Sequence, residues 1–368
     1  MELILTLDVG TTSVKACLFD RQLRQTALTS REYALQTRGV CAEVEAQVYL
    51  DAAAQCILAL PAEARARVCA VALTTQGETL LCVDRQGKAL RPAIVWLDSR
   101  AEAQAARLAA ALDRQRFYER TGLPELSGAL PLAKLLWLRE QEPESWARTD
   151  KFLLLEDYLM LWLTGRAVTE KSLLTSTGYF DLQSDDYWDE ALALAELDRT
   201  RLPQALACGS IVGPVLPEVA EALGLPASAC VVTGAMDQTA AALAAGCTRP
   251  GTLCETTGTA MVAAAFTAHP QFSEDHHVTI YRHAMPGAYL YLPISNTIGM
   301  SLRWFRDEFC RDLDGGYAAL DRLGGAGGGA AASLRLRVLV SPIAVIKPPT
   351  SRPTLVAGVL SYTRVMRA

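Results

Sequence analysis

The sequence lacks an apolar run long enough to cross a membrane. The stretch that comes nearest, residues 152–163, is interrupted by Glu156 and Asp157, whereas a membrane-spanning helix needs about 20 predominantly apolar residues. The first residues lead directly into a strand-like pattern that contains Asp8, so we expect no signal peptide. We therefore expect a cytoplasmic protein without a membrane partner.

An excess of basic charge is also absent. The 368 residues include 35 lysines and arginines against 40 aspartates and glutamates, a formal net charge of −5. Because the two signs are interspersed, the sequence indicates no surface for nucleic acid or for an anionic membrane. The 51% of hydrophobic residues is typical of a globular protein, and the length favours two domains over one.

Cysteine and histidine do not occur in metal-binding or disulfide patterns. None of the ten cysteines forms a Cys-x-x-Cys pair, and only four histidines are present. The neighbours His276 and His277 would point to opposite faces of a strand, which is a poor arrangement for a shared metal ion. Six cysteines lie in apolar segments, which predicts reduced thiols in the core. Those six are Cys17, Cys69, Cys82, Cys230, Cys247 and Cys254.

The most informative feature that is present is a single acid between a strand pattern and a helix pattern. Residues 231–234 are strand-like, residues 239–242 are helix-forming, and Asp237 lies between them. A strand-to-helix junction has free backbone amides and is a common place for a ligand pocket. Asp237 is therefore either a functional carboxylate or a helix N-cap that accepts the amide of Ala240. Two further motifs favour the functional role.

The first of these motifs is a predicted β-hairpin near the N-terminus. Residues 3–7 and 14–18 both alternate with the period of a half-buried strand. Asp8 ends the first strand and Lys15 lies in the second. Amide and hydroxyl donors, one ammonium group and a carboxylate that holds Mg²⁺ through water form a suitable phosphate site; the alternative is an ordinary hairpin with a polar tip. The tip consists of Gly10, Thr11, Thr12 and Ser13.

The second motif repeats this arrangement at residues 252–263. A strand pattern leads to a turn that contains Gly258 and Thr259, and an apolar strand pattern follows. Two such turns facing each other across a cleft, with Asp237 between them, suit phosphoryl transfer. That reaction depends on positioning and charge neutralisation more than on covalent help from the protein.

The order of patterns predicts an α/β protein with a domain boundary near Gly246. Three strands, a helix and a further strand open the chain, as in ribonuclease-H-like folds. We expect domains at residues 1–245 and 246–368. The predicted elements are a third strand near 30–35, a strand–turn–strand unit at 68–84 with a hairpin turn at 84–87, and helices at 48–60, 101–112, 134–139, 156–163, 217–223 and 239–245.

Together these motifs resemble the FGGY family of carbohydrate kinases. Residues 8–15 are similar to its first phosphate motif, residues 75–79 and 94–100 to its substrate-side segments, residues 234–238 to the segment that carries the general base, and residues 256–259 to its second phosphate turn. The resemblance covers residues 1 to about 310. It implies two actin-like ATPase domains that flank a cleft and close on a sugar and ATP.

The resemblance also implies roles for individual residues. Asp237 would be the general base and Asp8 the ligand of Mg²⁺. Three of the residues that would bind substrate have a structural alternative. Glu78 could be an exposed hairpin charge, Trp96 a core tryptophan, and Asp98 part of a structural ion pair with Arg100. Phosphate oxygens would bind to Gly10, Thr11, Thr12, Ser13, Lys15, Gly258 and Thr259. Substrate hydroxyls would bind to Gln76, Glu78, Trp96, Asp98, Asp237 and Gln238.

The chain departs from the family pattern towards its end. Residues 324–329 are a glycine–alanine run, residues 343–353 are rich in proline, and the glycine-rich adenosine segment is missing. We interpret this as an incomplete second domain. Gly77 also stands where glycerol kinases carry arginine, which favours a ketopentose or another polyol as acceptor.

The activity that we expect is ATP-dependent phosphorylation of a sugar or polyol. The alternatives are an impaired kinase remnant that binds a sugar or a partner protein, and another actin-fold ATPase. A homodimer is left open.

Overall fold

The computed structural model describes residues 2–257, 261–273, 278–295, 304–308, 335–336 and 356–357. Gly258, Thr259, His276 and His277 lie outside the described residues, as do the runs at 324–329 and 343–353. The chain divides into two compact units, residues 1–245 with 267–291, and residues 246–266 with 292–368. Residues 267–291 thus pack with the first unit, although they follow the predicted boundary. The predicted assignment of functions to two domains stays a prediction.

Short strands make up much of the described chain. In chain order they are β1 (Leu3–Val9), β2 (Ser13–Phe19), β3 (Gln25–Glu32), β4 (Gln36–Arg38), β5 (Cys41–Val44), β6 (Val68–Thr75), β7 (Leu80–Val83), β8 (Ala93–Ile94), β9 (Lys151–Leu154), β10 (Val168–Glu170), β11 (Phe180–Asp181), β12 (Asp186–Tyr187), β13 (Gln204–Leu206), β14 (Ile211–Pro214), β15 (Cys230–Met236), β16 (Leu253–Thr257), β17 (Met261–Thr267), β18 (Ile280–Arg282), β19 (Tyr289–Tyr291), β20 (Ile294–Ser295), β21 (Arg335–Leu336) and β22 (Val356–Ala357).

The helices are mostly short as well. They are α1 (Ala46–Ala59), α2 (Ala62–Arg65), α3 (Glu102–Ala111), α4 (Arg114–Thr121), α5 (Pro131–Gln141), α6 (Pro143–Arg148), α7 (Leu155–Thr164), α8 (Lys171–Leu174), α9 (Asp189–Leu194), α10 (Pro217–Leu223) and α11 (Asp237–Ala244), with a 3₁₀ turn at Arg199–Arg201. No helix among the described residues is long and apolar enough to span a membrane.

A six-stranded sheet forms the centre of the first unit. Its strand order is β14-β15-β6-β1-β2-β3, in which β1, β6 and β15 run parallel and β2 turns back antiparallel to β1. Every second residue of β1, from Leu3 to Val9, is buried, because alternate side chains of a strand point to one face. The predicted N-terminal hairpin is therefore confirmed, with Asp8 opposite Lys15.

The predicted strand–turn–strand unit at 68–84 is not a hairpin. β6 belongs to the central sheet, whereas β7 belongs to a second sheet of order β4-β5-β8-β7-β9. The segment between them, residues 76–79, therefore passes from one sheet to the other. The turn predicted at 84–87 is confirmed, since Gly87 donates its amide to the carbonyl of Asp84 at 2.9 Å. The third strand begins at Gln25, earlier than predicted.

In the second unit, β16 and β17 pair antiparallel, with Thr257 opposite Met261, and β20 pairs with β17. These are the strands that were predicted on either side of the second turn. The nine described cysteines are free thiols. The prediction of core thiols holds for Cys82 and Cys247, but it is wrong for Cys69, which is exposed.

Candidate active site

Three neighbouring parallel strands bring the predicted site residues to one edge of the central sheet. β1 ends beside the end of β6, with Val9 opposite Thr75, and β6 ends beside the end of β15, with Thr75 opposite Met236. The hairpin tip, residues 76–78 and Asp237 directly follow these three ends. The carboxyl edge of parallel strands is where α/β proteins typically bind ligands, so these groups form the candidate active site of the first unit.

Asp237 is the first residue of α11 and does not act as its N-cap. The cap position is Met236, which makes no side-chain cap bond, and the Asp237 carboxylate accepts the amide of Gln238 at 2.6 Å. The alternative of a cap on Ala240 is therefore wrong. Burial, reinforced by the negative charge of Asp8, raises the pKa of Asp237 to about 6, although the Gln238 amide opposes this. A carboxylate with a pKa near neutrality suits a general base.

The hairpin tip presents a carboxylate and an ammonium side by side. Lys15 Nζ lies 3.2 Å from Asp8 Oδ2, and both side chains are about half exposed, at 51% and 40%. The turn closes with a bond from the Gly10 amide to the Ser13 carbonyl at 3.0 Å. Tyr33, which directly follows β3, stabilises the turn. Its hydroxyl donates to the Gly10 carbonyl and its amide to the Thr12 carbonyl.

The donor set at the tip fits a hydrated Mg²⁺ ion. Magnesium in phosphoryl-transfer sites usually keeps several waters and takes one or two protein carboxylates together with phosphate oxygens. Asp8 is one such carboxylate, and its exposure leaves it reachable by a hydrated ion. Among the described residues, no group of three or more His, Cys, Asp or Glu side chains could hold a metal by itself.

Trp96 connects the hairpin tip to the segment that follows β6. Its indole N–H donates to Thr11 Oγ1 at 2.9 Å, and its backbone amide donates to Thr79 Oγ1 at 3.3 Å. Trp96 is 38% exposed, so it is not the core tryptophan that the sequence left as an alternative. A role as a sugar platform stays a prediction.

Glu78 occupies a strained turn at the centre of the site. Its φ of +52° is in the left-handed region, which few non-glycine residues adopt. The Thr79 amide closes the turn on the Gly77 carbonyl at 2.7 Å. The carboxyl group of Glu78 interacts with the hydroxyls of Ser176 and Tyr281. Because Glu78 is half-buried and lies between two sheets, the alternative of an exposed hairpin charge is wrong.

The turn around Glu78 is held by a buried lysine that the sequence reading missed. Lys134 of α5 is 0% exposed, and its Nζ donates to the carbonyls of Glu78 at 3.1 Å and Val95 at 2.9 Å. Burial lowers the pKa of Lys134, opposed by the charge of Glu78. Burial likewise raises the pKa of Glu78, opposed by Lys134 and reinforced by Asp237. The two side chains therefore depend on each other electrostatically.

Gln76 and Gln238 are placed differently from each other. Gln76 is buried, its Nε2 lies 3.4 Å from the hydroxyl of the buried Tyr49, and its Oε1 has no hydrogen-bond partner in the described part of the chain. Gln238 is half-buried directly after Asp237. The predicted contacts of both residues with substrate stay predictions.

The carboxylate of Asp98 is paired with groups of the protein itself. The residue is 0% exposed; its carboxylate accepts the Ala42 amide at 2.6 Å and pairs with Arg100 Nη2 at 2.7 Å. Although burial disfavours the charged form, the bonds from Arg100 hold the pKa of Asp98 below its usual range. Arg100 also pairs with Glu43 at 2.8 Å and lies over the Trp137 ring. This geometry supports the structural ion pair, which was the alternative to substrate binding.

The chain is similar in sequence to known carbohydrate kinases. The model of the N-terminal domain of the FGGY family of carbohydrate kinases matches residues 3–244. A xylulose kinase of Lactococcus lactis is 30% identical over 318 residues, which cover 85% of this chain and 63% of the relative. A gluconokinase of Bacillus subtilis is 27% identical over 312 residues, covering 83% and 60%.

Solved structures agree with these sequence matches. The crystal structure of a xylulose kinase from Rhodospirillum rubrum superposes with a TM-score of 0.82 at 28% identity, covering 91% of this chain and 69% of that one. The predicted α/β fold of the actin-like ATPase type is thereby confirmed. The chain spans less than two thirds of the length of the curated relatives named above.

Proposed function

Because the chain belongs to the FGGY family of carbohydrate kinases, we propose that it transfers a phosphoryl group from ATP to a hydroxyl group of a sugar or polyol. The observation that supports this most is the convergence at one sheet edge of a phosphate-type hairpin tip, an isolated acid with a raised pKa and a strained glutamate. These three features supply the phosphate contacts, the base and the acceptor contacts that phosphoryl transfer needs.

In the proposed reaction Asp237 accepts the proton of the acceptor hydroxyl as that oxygen attacks the terminal phosphorus of ATP. A pKa of about 6 leaves the carboxylate mostly ionised at neutral pH and still basic enough to take the proton. Lys15, the hydroxyls of Thr11, Thr12 and Ser13, and amides of the hairpin tip other than that of Gly10, which closes the turn, bind phosphate oxygens. Mg²⁺ held through Asp8 and water would neutralise phosphate charge.

The acceptor is oriented by Glu78 and by the residues around it. A carboxylate accepts hydrogen bonds from vicinal hydroxyls, and the strained turn holds this one in a fixed position. The space around Gly77 is tight, because a Cβ atom there would lie 3.1 Å from Ser176 Oγ and 3.4 Å from Met236 Sδ. Gly77 stands where glycerol kinases carry arginine, which supports an acceptor other than glycerol, such as a ketopentose, a sugar acid or a longer polyol.

Gly258 and Thr259 remain proposed phosphate contacts outside the described residues. The proposal also includes a cytoplasmic location, since ATP is the phosphoryl donor, and it leaves a homodimer open.

An acceptor screen tests the proposed function. The protein is incubated with MgATP and, in separate reactions, with xylulose, gluconate, glycerol and a series of polyols, and ADP release is measured. We expect one acceptor class to raise ADP release well above the rate without acceptor. Acceptor-independent ADP release would favour another actin-fold ATPase, and no release with any acceptor would favour a non-catalytic binding protein.

A further inference from the structure

The strand that leads to Asp237 contains a β-bulge just before its end. Val232 of β15 is opposite Ala72 of β6, but Ala235 is opposite Thr74. Two residues of β15 therefore lie opposite one residue of β6. A Cβ atom on Gly234 would lie 1.4 Å from the Leu73 carbonyl oxygen, so only glycine fits the bulge. Bulges bend a strand and redirect the side chains that follow.

Two buried acids bind the backbone amides at this bulged end. Glu156 Oε1 accepts the Gly234 amide at 3.0 Å, and Glu170 Oε1 accepts the Met236 amide at 3.1 Å. Both side chains are 0% exposed. Glu156 comes from α7 and Glu170 from the end of β10, so two separate elements hold the last residues before Asp237.

The surroundings of Glu156 favour a role as a hydrogen-bond acceptor. Burial, reinforced by the charge of Glu170, raises the pKa of Glu156 well above its usual range. A carboxyl group accepts a hydrogen bond through an oxygen atom whether it is protonated or ionised. Glutamine has the same length and also offers a carbonyl oxygen, whereas aspartate is one methylene shorter.

We propose that Glu156 and Glu170 are positioning residues that hold the bulged end of β15 and so fix where Asp237 enters the site. The inference rests on the proposed function, because it takes Asp237 as the reacting group. A shift of about 1 Å at a reacting group can lower a rate by roughly 100-fold. Removing the hydrogen bond from either glutamate should therefore lower kcat more than it weakens binding of the sugar or polyol substrate.

Two variants of Glu156 distinguish positioning from acid chemistry. Glu156→Gln keeps an oxygen that can accept the Gly234 amide, so we expect kcat within about threefold of the wild type. Glu156→Asp moves that oxygen away from the amide and should lower kcat roughly 10- to 100-fold. The acceptor KM should stay within about threefold in both. An active Asp variant with an inactive Gln variant would overturn the proposal, as would two fully active variants.

Asp157 provides a matched control on the same helix. It is equally buried, but its carboxyl accepts the amide of Leu154, the last residue of β9, at 2.8 Å. Asp157→Asn should lower the melting temperature at most, with kcat within about threefold of the wild type. A fall in kcat as large as that of Glu156→Asp would show that any buried acid of α7 matters, and would overturn the specific role.

Amide hydrogen exchange measures the hydrogen bond between Glu156 and the Gly234 amide and does not require a catalytic assay. The Gly234 amide should exchange slowly in the wild type and in Glu156→Gln, and faster in Glu156→Asp. If no acceptor is phosphorylated by the wild type, the proposed function fails while the exchange comparison still decides the positioning. Equal Gly234 exchange in all three proteins would overturn it.

Ser172→Ala gives a milder test that does not rely on changing a buried acid. Ser172 Oγ is the second acceptor of the Met236 amide at 3.1 Å and donates to Glu170 Oε1 at 2.8 Å. The variant should speed exchange of the Met236 amide and lower kcat a few-fold. Unchanged exchange and unchanged kcat would count against the role of this network.

Discussion

Replacing Lys134 by methionine should destabilise the protein and weaken acceptor binding together. Methionine keeps most of the packed stem but leaves the carbonyls of Glu78 and Val95 without the donor that now lies 3.1 and 2.9 Å away. An unsatisfied buried polar group costs about 1–3 kcal/mol, so two of them predict a loss of about 2–6 kcal/mol. Because the Glu78 turn is strained, it should also relax when its carbonyl is released.

Urea unfolding and steady-state kinetics measure the two effects. We expect the free energy of unfolding to fall by the stated amount and the acceptor KM to rise at least severalfold, while the KM for MgATP is unchanged. Lys151→Met is the matched control, because Lys151 also donates to two carbonyls, those of Thr200 and Leu202, but it is only half-buried. A stability loss no larger than that of Lys151→Met, with unchanged acceptor KM, would refute the reasoning.

The remaining predictions concern the ionisation of Asp237, the metal site and the different roles of Glu78 and Asp98. Since burial raises the pKa of Asp237 to about 6 and the base must be ionised, kcat/KM should rise about tenfold from pH 4 to 5 and level off above pH 7; a flat profile argues against this base. Asp8→Asn should increase the Mg²⁺ concentration needed for half-maximal rate, and an unchanged titration removes Asp8 from the metal site. Glu78→Gln should raise the acceptor KM with little loss of stability. Asp98→Asn should lower the free energy of unfolding in urea by about 3–5 kcal/mol, because it breaks a buried ion pair. The reverse pattern would make Asp98 the substrate contact and Glu78 the structural residue.

The sequence predicted the features that depend on neighbouring residues. The N-terminal hairpin follows from alternation on both sides of a four-residue polar turn, and α10 has the predicted bounds because a proline and a glycine mark its ends. The candidate base was found for the same reason, since a strand pattern and a helix pattern flank Asp237.

Features that depend on long-range packing could not be predicted in this way. Whether β6 and β7 form a hairpin or enter two sheets is decided by partners far along the chain, and this decides the surroundings of Glu78. Lys134 lies in an ordinary helical pattern, and nothing local marks it as buried. Glu156 did carry a signal, because it interrupts an apolar run; two acids in such a run indicate buried carboxyl groups as well as the absence of a membrane span.

The most direct test of the central claim is a comparison of Asp237→Asn with the wild type, using the acceptor identified by the screen. Asparagine keeps the size of the side chain but cannot accept the proton, so we expect kcat to fall roughly 100- to 10,000-fold. The melting temperature and the acceptor dissociation constant measured by calorimetry should change little. Turnover close to that of the wild type, with the fold intact, would contradict the assignment of Asp237 as the general base.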